Sequence, residues 1–227
     1  MARVILIEGR DRLLSTMSER AAAWATRDLE RMGVDVRVDT LVTAVDQGGL
    51  QAGDEWLPTR NVLWAAGVQA APIGKMLGCP LDRAGRVIVE PDCTIPGRPE
   101  VFVIGDLAAQ KDPETGAPVP GLAPAAIQMG AFVAGILRSE TVLGTSPRER
   151  PAFRYRDRGA LATIGKAKAV VDFGTHTVHG VGAWSLWLFV HILFLIGFRN
   201  KLFVMLSWAW NYLLHTRGAR LITRTPE

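Results

Sequence analysis

Apolar and polar positions along the first two thirds of the chain fall into short strand-like runs separated by helical stretches. A long apolar stretch then follows. Val4-Ile5-Leu6-Ile7 reads as a buried strand that ends on an acid, Glu8. Residues 18–32 read as a helix, closed by Gly33 just past its C-terminus. Val34 to Val38 alternates like a strand, Leu41 to Val45 is expected to continue that sheet, and Gly48-Gly49 is a turn. Asn61-Val62-Leu63-Trp64-Ala65-Ala66-Gly67 is expected to be another buried strand, ending in small residues. Val87-Ile88-Val89 is a short strand. The proline-rich segment 91–99 then leads into Val101-Phe102-Val103-Ile104, which reads as a buried parallel strand. Residues 107–120 form a loop, and a helix runs from Ala123 to about Ser139 with a proline in its first turn. After a linker at 147–151, Ala160–Ile164 and Ala169–Phe173 form a hairpin around Gly165-Lys166. Strands alternating with helices place the chain in the α/β class.

Charge changes the picture of the C-terminal third. Residues 1–147 hold 14 Lys and Arg against 18 Asp and Glu, whereas residues 148–227 hold 12 against 4. The first part therefore looks like an acidic soluble domain and the remainder is basic. A basic tail suits nucleic acid or anionic lipid. This one also carries Trp184, Trp187, Trp208 and Trp210 beside long aliphatic runs, which points to a membrane interface and away from nucleic acid. Residues 181–198 form an 18-residue stretch with no formal charge, at the lower edge of what spans a bilayer. Arg199-Asn200-Lys201 interrupts the apolar pattern before it resumes at 202–214. Two apolar segments hinged at that triplet fit a helical pair lying in one leaflet better than a single span at 181–198. Cys79 and Cys93 are too few for a disulfide framework and fit a reduced cytoplasm. His176, His179, His191 and His215 lack acidic or cysteine companions at metal-ligand spacing, so no metal site is expected.

The chemistry is concentrated where the Val101 run ends on Gly105-Asp106 and the segment Gly121-Leu122-Ala123-Pro124-Ala125-Ala126-Ile127-Gln128 opens a helix. In open α/β sheets, ligands sit at such strand ends. Gly105 lets a ligand approach the backbone, and Asp106 offers two acceptor oxygens to sugar or ribityl hydroxyls. The positive end of the following helix suits an anionic or electron-rich ring edge. This segment resembles the second FAD-binding motif of flavoproteins with two dinucleotide-binding domains, and most closely that of the type II, non-proton-pumping NADH:quinone oxidoreductases.

The resemblance implies a partial Rossmann-like flavoprotein fold with a C-terminal membrane-associated helical tail. It divides the chain into the C-terminal part of an NADH-binding domain (1–99), the C-terminal part of an FAD-binding domain (100–150), a β-hairpin segment (151–180) and an anchoring tail (181–227). It implies FAD and NADH as cofactors, with Gly105, Asp106, Ala123 and Ala126 at the FAD and Glu8, Ala65, Ala66 and Gly67 at the NADH. Glu8 would meet ribose hydroxyls, with Arg10 nearby, and the small Ala65-Ala66-Gly67 would leave the ring faces free. Pro124, Ile127 and Gln128 would face the quinone, with Pro124 standing where the family pattern Ala-Gln-x-Ala-x-Gln has its first glutamine. The implied activity is hydride transfer from NADH to FAD and then reduction of a membrane quinone. The implied partners are quinone, membrane lipid and a second copy of the chain, without nucleic acid, on the cytoplasmic face of the membrane.

No Gly-x-Gly-x-x-Gly occurs anywhere, and Glu8 stands where the acidic residue following such a turn is expected. The resemblance implies that both glycine motifs lie before Met1, making the chain a fragment. Two other readings stay open: a non-catalytic membrane-bound remnant or half of a split enzyme, and a related flavoprotein such as a sulfide:quinone oxidoreductase, for which Cys79 and Cys93 would be the cysteine pair.

Overall fold

The computed structural model describes residues 3–214 apart from Ile196, so His215 lies outside the described residues. In chain order the elements are β1 (Val4–Ile7), α1 (Glu19–Arg31), β2 (Val34–Arg37), β3 (Val42–Val45), β4 (Gly49–Ala52), β5 (Glu55–Pro58), α2 (Ile73–Met76), β6 (Val87–Ile88), β7 (Thr94–Ile95), β8 (Arg98–Phe102), β9 (Ala108–Ala109), α3 (Ala123–Leu143), β10 (Ala160–Gly165), β11 (Lys168–Asp172), β12 (Thr177–His179), α4 (Gly180–Phe194) and α5 (Phe198–Leu214). They gather into two compact units. One joins the residues up to Val62 to those from Arg158 onward, and the other is Leu63–Asp157.

In the first unit β1 and β2 pair in parallel, Val4 opposite Val34, with α1 as the crossover between them. α1 forms where the sequence expects it. Ser18 caps it by accepting the Ala21 N–H at 3.3 Å, and Gly33 follows at φ +86°, a left-handed conformation that glycine adopts without cost. Its small buried face, Ala21, Ala22 and Ala25, lets the helix lie close to its neighbours. Ala21 packs with Met17 and the fully buried Val170 of β11.

Leu41–Val45 does not extend the β1–β2 sheet. β3 instead heads an antiparallel meander, β3-β4-β5, with Leu50 opposite Leu57. The tight turns at Gly48-Gly49 and Gly53-Asp54 make a hairpin pairing closer in sequence than a return to β2. β10 and β11 form the expected hairpin, its turn completed by Ala167 at φ +58°, and β12 adds a third strand that the sequence did not announce.

The second unit is built around one cluster: Val87, Cys93, Ile95, Val103, Ala125, Met129, Val133 and Phe153. Each large apolar side chain buried there contributes about 1.5–3 kcal/mol. The Val101 run departs from expectation. β8 pairs antiparallel with β7, Thr94 opposite Phe102, and Val103 and Ile104 lie beyond the strand. Gly97, at φ +76°, turns the chain back tightly enough for the local hairpin to win. The parallel pairing present in this unit is the short β6–β9 ladder.

Asn61–Gly67 is not a strand. Its backbone is irregular, with Leu63 97% and Trp64 67% exposed. A run apolar on both faces becomes a buried strand only when neighbours pair its backbone and cover both sides. Among the described residues no such neighbour flanks it.

The tail forms two helices, but the break falls at Leu195–Gly197, not at Arg199-Asn200-Lys201, which lies in the first turns of α5. Gly197 takes φ +81°, which terminates a helix, whereas arginine, asparagine and lysine continue one. Lys201 spans the break by donating to the Leu193 carbonyl at 2.8 Å, one of the last carbonyls of α4. Among the described residues no helix is long and apolar enough to cross a membrane. Yet Phe189, Phe194, Phe198, Phe203, Leu206 and Trp210 are each more than half exposed.

Candidate functional site

The residues that the sequence assigns to FAD converge within the second unit. Beyond β8 the chain enters a single helical turn, Gly105–Leu107, in which Gly105 adopts φ +67°. A side chain there would be strained, and its Cβ would stand 3.4 Å from the Cβ of Ala126. The Gly105 N–H donates to Met129 Sδ at 3.2 Å. The turn is thus seated on the second turn of α3, and only small residues at 105 and 126 permit the approach.

This seating leaves the Asp106 side chain exposed. Gly121 lies beside it: a Cβ on Gly121 would come within 3.7 Å of Asp106 Oδ1. A carboxylate flanked by two glycines in this way is accessible to the hydroxyls of an extended polyol.

α3 begins at Ala123, with Leu122 at the N-cap contributing no side-chain hydrogen bond and no acidic residue in the first turn. No carboxylate of its own first turn offsets its positive end, and the nearby acid is Asp106 beside Gly121. Pro124 sits in that first turn and brings no N–H of its own, while Ala125 and Ala126 both donate back to the Leu122 carbonyl. These residues fit FAD by their chemistry: acceptor oxygens for hydroxyls, a helix N-terminus without an acid in its first turn for a ring edge, and glycines that keep the backbone approachable. Ala123, Pro124 and Ile127 are exposed.

Gln128 is engaged. Its amide donates to the Arg156 carbonyl at 3.0 Å and accepts the Arg156 N–H at 3.0 Å, a pairing that holds the segment after α3 along the helix. A glutamine amide has two N–H groups, so one remains beyond this pair.

Read from the sequence alone, Met129 has no role, and Gly121 has none beyond heading the helix-opening segment. Ala125, Met129, Val133 and Ile136 mark one buried face of α3, and that spacing was the available signal for Met129. Nothing local distinguishes Gly121 from any loop glycine.

In the first unit Glu8 follows β1 and continues its ladder, its N–H donating to the Arg37 carbonyl at 2.8 Å. The carboxylate accepts the backbone N–H of Arg10 at 3.0 Å, and the Arg10 guanidinium turns away to Ser15 Oγ at 2.6 Å. Arg10 thus steadies Glu8 through its backbone and not through its charge. Ala65, Ala66 and Gly67, in the second unit, lie on exposed irregular backbone with Gly67 at φ +113°.

The two cysteines are free and pack in the core of the second unit, Cys93 fully buried and Cys79 partly so. Burial pushes the Cys93 thiol up to about 12, and neighbouring Asp92 adds to the effect. Such a thiol is inert at neutral pH. Among the described residues no cluster of three or more His, Cys, Asp or Glu could hold a metal ion.

Comparison with known proteins sets these residues in a family. The model of pyridine nucleotide-disulphide oxidoreductases matches residues 1–130, and that of the NDH2 C-terminal domain matches 158–216. The type II NADH:quinone oxidoreductase Ndh of Mycobacterium tuberculosis is 38% identical over 98% of the chain, and NdhA of the same organism is 36% identical over 97%. The chain spans 48% of the length of each, about half. NDH2 from Plasmodium falciparum, solved in complex with NADH, superposes with a TM-score of 0.81 at 14% identity, covering 96% of this chain and 59% of its own.

Proposed function

We propose, since the chain belongs to the pyridine nucleotide-disulphide oxidoreductase family, that it supplies the C-terminal half of a type II NADH:quinone oxidoreductase. The carrying observation is the Gly105-Asp106 turn seated on Ala126 and Met129 at the open end of α3. Bound there, FAD supplies a ring that takes a hydride from NADH and passes electrons on to a quinone.

The chain's own residues position and exclude. Asp106 accepts hydrogen bonds from ribityl hydroxyls, and Gly105 and Gly121 keep that approach open. The positive end of α3 at Ala123 stabilises negative charge on the ring edge it faces. Glu8 accepts from the ribose hydroxyls of NADH, and Ala65, Ala66 and Gly67 leave space for a nicotinamide. Pro124, Ile127 and the second N–H of Gln128 form the quinone contact. The exposed aromatic and aliphatic surface of α4 and α5 rests on the membrane without crossing it, on the cytoplasmic face, where lipid-soluble quinone is met. A second copy of the chain is the remaining candidate partner.

The test is the visible flavin absorbance of the purified, detergent-solubilised chain and of its Asp106→Ala variant. Stoichiometric FAD in the parent and its loss in the variant are expected. The reading fails for this chain if the parent carries no flavin, and Asp106 leaves the site if the variant retains it fully.

A further inference from the structure

One polar contact in the second unit runs from a loop into the core. The Gly105 N–H donates to Met129 Sδ at 3.2 Å. Met129 is 2% exposed and belongs to the buried cluster that includes Val103, Ala125, Val133 and Phe153. Of the buried side chains in that cluster, those of Met129 and Cys93 alone carry an atom that can accept a hydrogen bond. An N–H aimed into such surroundings is costly unless something accepts it.

The spacing of α3 builds the contact. Ala126, Met129 and Gly130 share one face of the helix. A Cβ on Gly105 would stand 3.4 Å from the Cβ of Ala126, and a Cβ on Gly130 would stand 3.9 Å from Ile104 Cδ1. The two small residues let the turn come close, and the methionine on the same face takes its N–H. On the other side of the peptide unit, the Ala108 N–H donates to the Gly105 carbonyl. Gly105 is therefore bonded at both of its backbone polar groups, in the left-handed conformation at φ +67° that glycine holds without strain. Asp106 is the next residue, so the backbone at Gly105 sets the direction in which its carboxylate leaves the turn.

We propose that Met129 is a positioning residue for the flavin: through its sulfur it fixes the Gly105 peptide and so aims the Asp106 carboxylate at the ribityl hydroxyls. The inference rests on the flavin reading above and adds a residue that acts on the site from the core. A methionine that merely filled space could give way to leucine without loss to the site, because the two are close in volume. Leucine has no acceptor, so the Gly105 N–H would lose its partner and the turn would be free to shift.

The test uses the full chain in detergent, freed of flavin and titrated with FAD, with thermal unfolding followed alongside. Met129→Leu is expected to weaken FAD binding about fivefold, the factor that one modest hydrogen bond carries. Its Tm is expected to fall by less than about 4 °C. Val133→Ala, one turn further along the same buried face, opens the same core without touching the Gly105 N–H. It is expected to lower Tm further than Met129→Leu does, yet to change the FAD affinity by less than about twofold. In the flavin-free chain, the Gly105 amide is expected to exchange with solvent slowly in the parent and about fivefold faster in Met129→Leu.

An unchanged FAD affinity in Met129→Leu, or an equal loss in Val133→Ala, would overturn the positioning role and leave Met129 as core packing. So would a Gly105 amide that exchanges in the unmutated, flavin-free chain as fast as an exposed loop amide, a result that needs no variant to fold. An unmutated chain that takes up no FAD refutes the flavin reading itself and the role with it, whereas FAD uptake with equal affinities refutes the role alone.

Discussion

Asp172→Asn tests the joint that holds the N-terminus of α1 to the hairpin some 150 residues further along the chain. Asp172 is 5% exposed. Its Oδ2 accepts the Ser18 N–H at 2.5 Å and its Oδ1 accepts the Gly174 N–H at 3.1 Å. Ser18 in turn caps α1 and shares a 3.3 Å contact with Thr177 Oγ1 of β12. Asparagine keeps the shape and one acceptor but turns an NH2 toward a backbone donor. One charge-assisted bond is lost and a buried donor is left unpaired, a cost of about 2–3 kcal/mol. For a chain of 227 residues that lowers Tm by roughly 4–12 °C.

The pH dependence carries the sharper signature. The Ser18 N–H, with further bonds from the Ser18 side chain, Gly174 and Thr177, holds the Asp172 carboxyl below its ordinary value against the opposing effect of burial. A carboxyl depressed in the folded state contributes stability that is fully present above its unfolded pKa of about 3.9 and is lost as pH falls through the folded value. The Tm gap between parent and variant, followed by circular dichroism, should therefore be constant from about pH 8 to about pH 5 and narrow below about pH 4. A gap under about 1 °C at neutral pH, or one that does not narrow in acid, would refute the reasoning.

Three further perturbations follow from the second unit. Arg150 is almost fully buried among Glu140 at 2.6 Å, Asp92 at 3.3 Å and the Pro99 carbonyl at 2.6 Å; the first two, Glu140 foremost, hold its pKa above the ordinary value. Arg150→Met strands two carboxylates and should cost about 3 kcal/mol, measured as the denaturant midpoint at unchanged slope. A thiol reagent at pH 8 should modify only Cys79 in the folded chain and both cysteines after unfolding, because burial holds Cys93 protonated with its thiol at about 12; rapid modification of both in the folded state would contradict the packing. Gln128→Leu removes both bonds to the Arg156 backbone and should cost about 1–2 kcal/mol in the same denaturant assay, and an unchanged midpoint would show that the pair does not hold the segment.

Much of this molecule is legible in local pattern. The strand at Val4–Ile7, the capped helix between Ser18 and Gly33, the hairpin around Lys166 and the helix from Ala123 rest on signals confined to a few neighbouring residues, although the Val4 strand is half-exposed, with Val4 57% exposed, and not buried as its apolar run suggests. The small residues of the helix opening were readable for the same reason, whereas Gly105-Asp106 sits in a helical turn past the strand and not at its end. What those residues do is what the resemblance implies.

Tertiary structure decided the pairings. A strand's sequence states that it is buried but not which edge it meets. Hence Leu41–Val45 joined a meander instead of β2, and the Val101 run folded back onto β7. The apolar run at Asn61–Gly67 found no neighbour among the described residues and stayed irregular. The partner of the Gln128 amide lies 28 residues away and that of Asp172 lies 154 residues away, distances at which no periodicity operates. The tail's composition foretold its apolar and basic character, because the chemistry of a side chain is a property of a single residue. Its hinge at Gly197 and the stacking of Trp187 of α4 on Trp208 of α5 depend on how two helices turn against each other, which packing alone fixes.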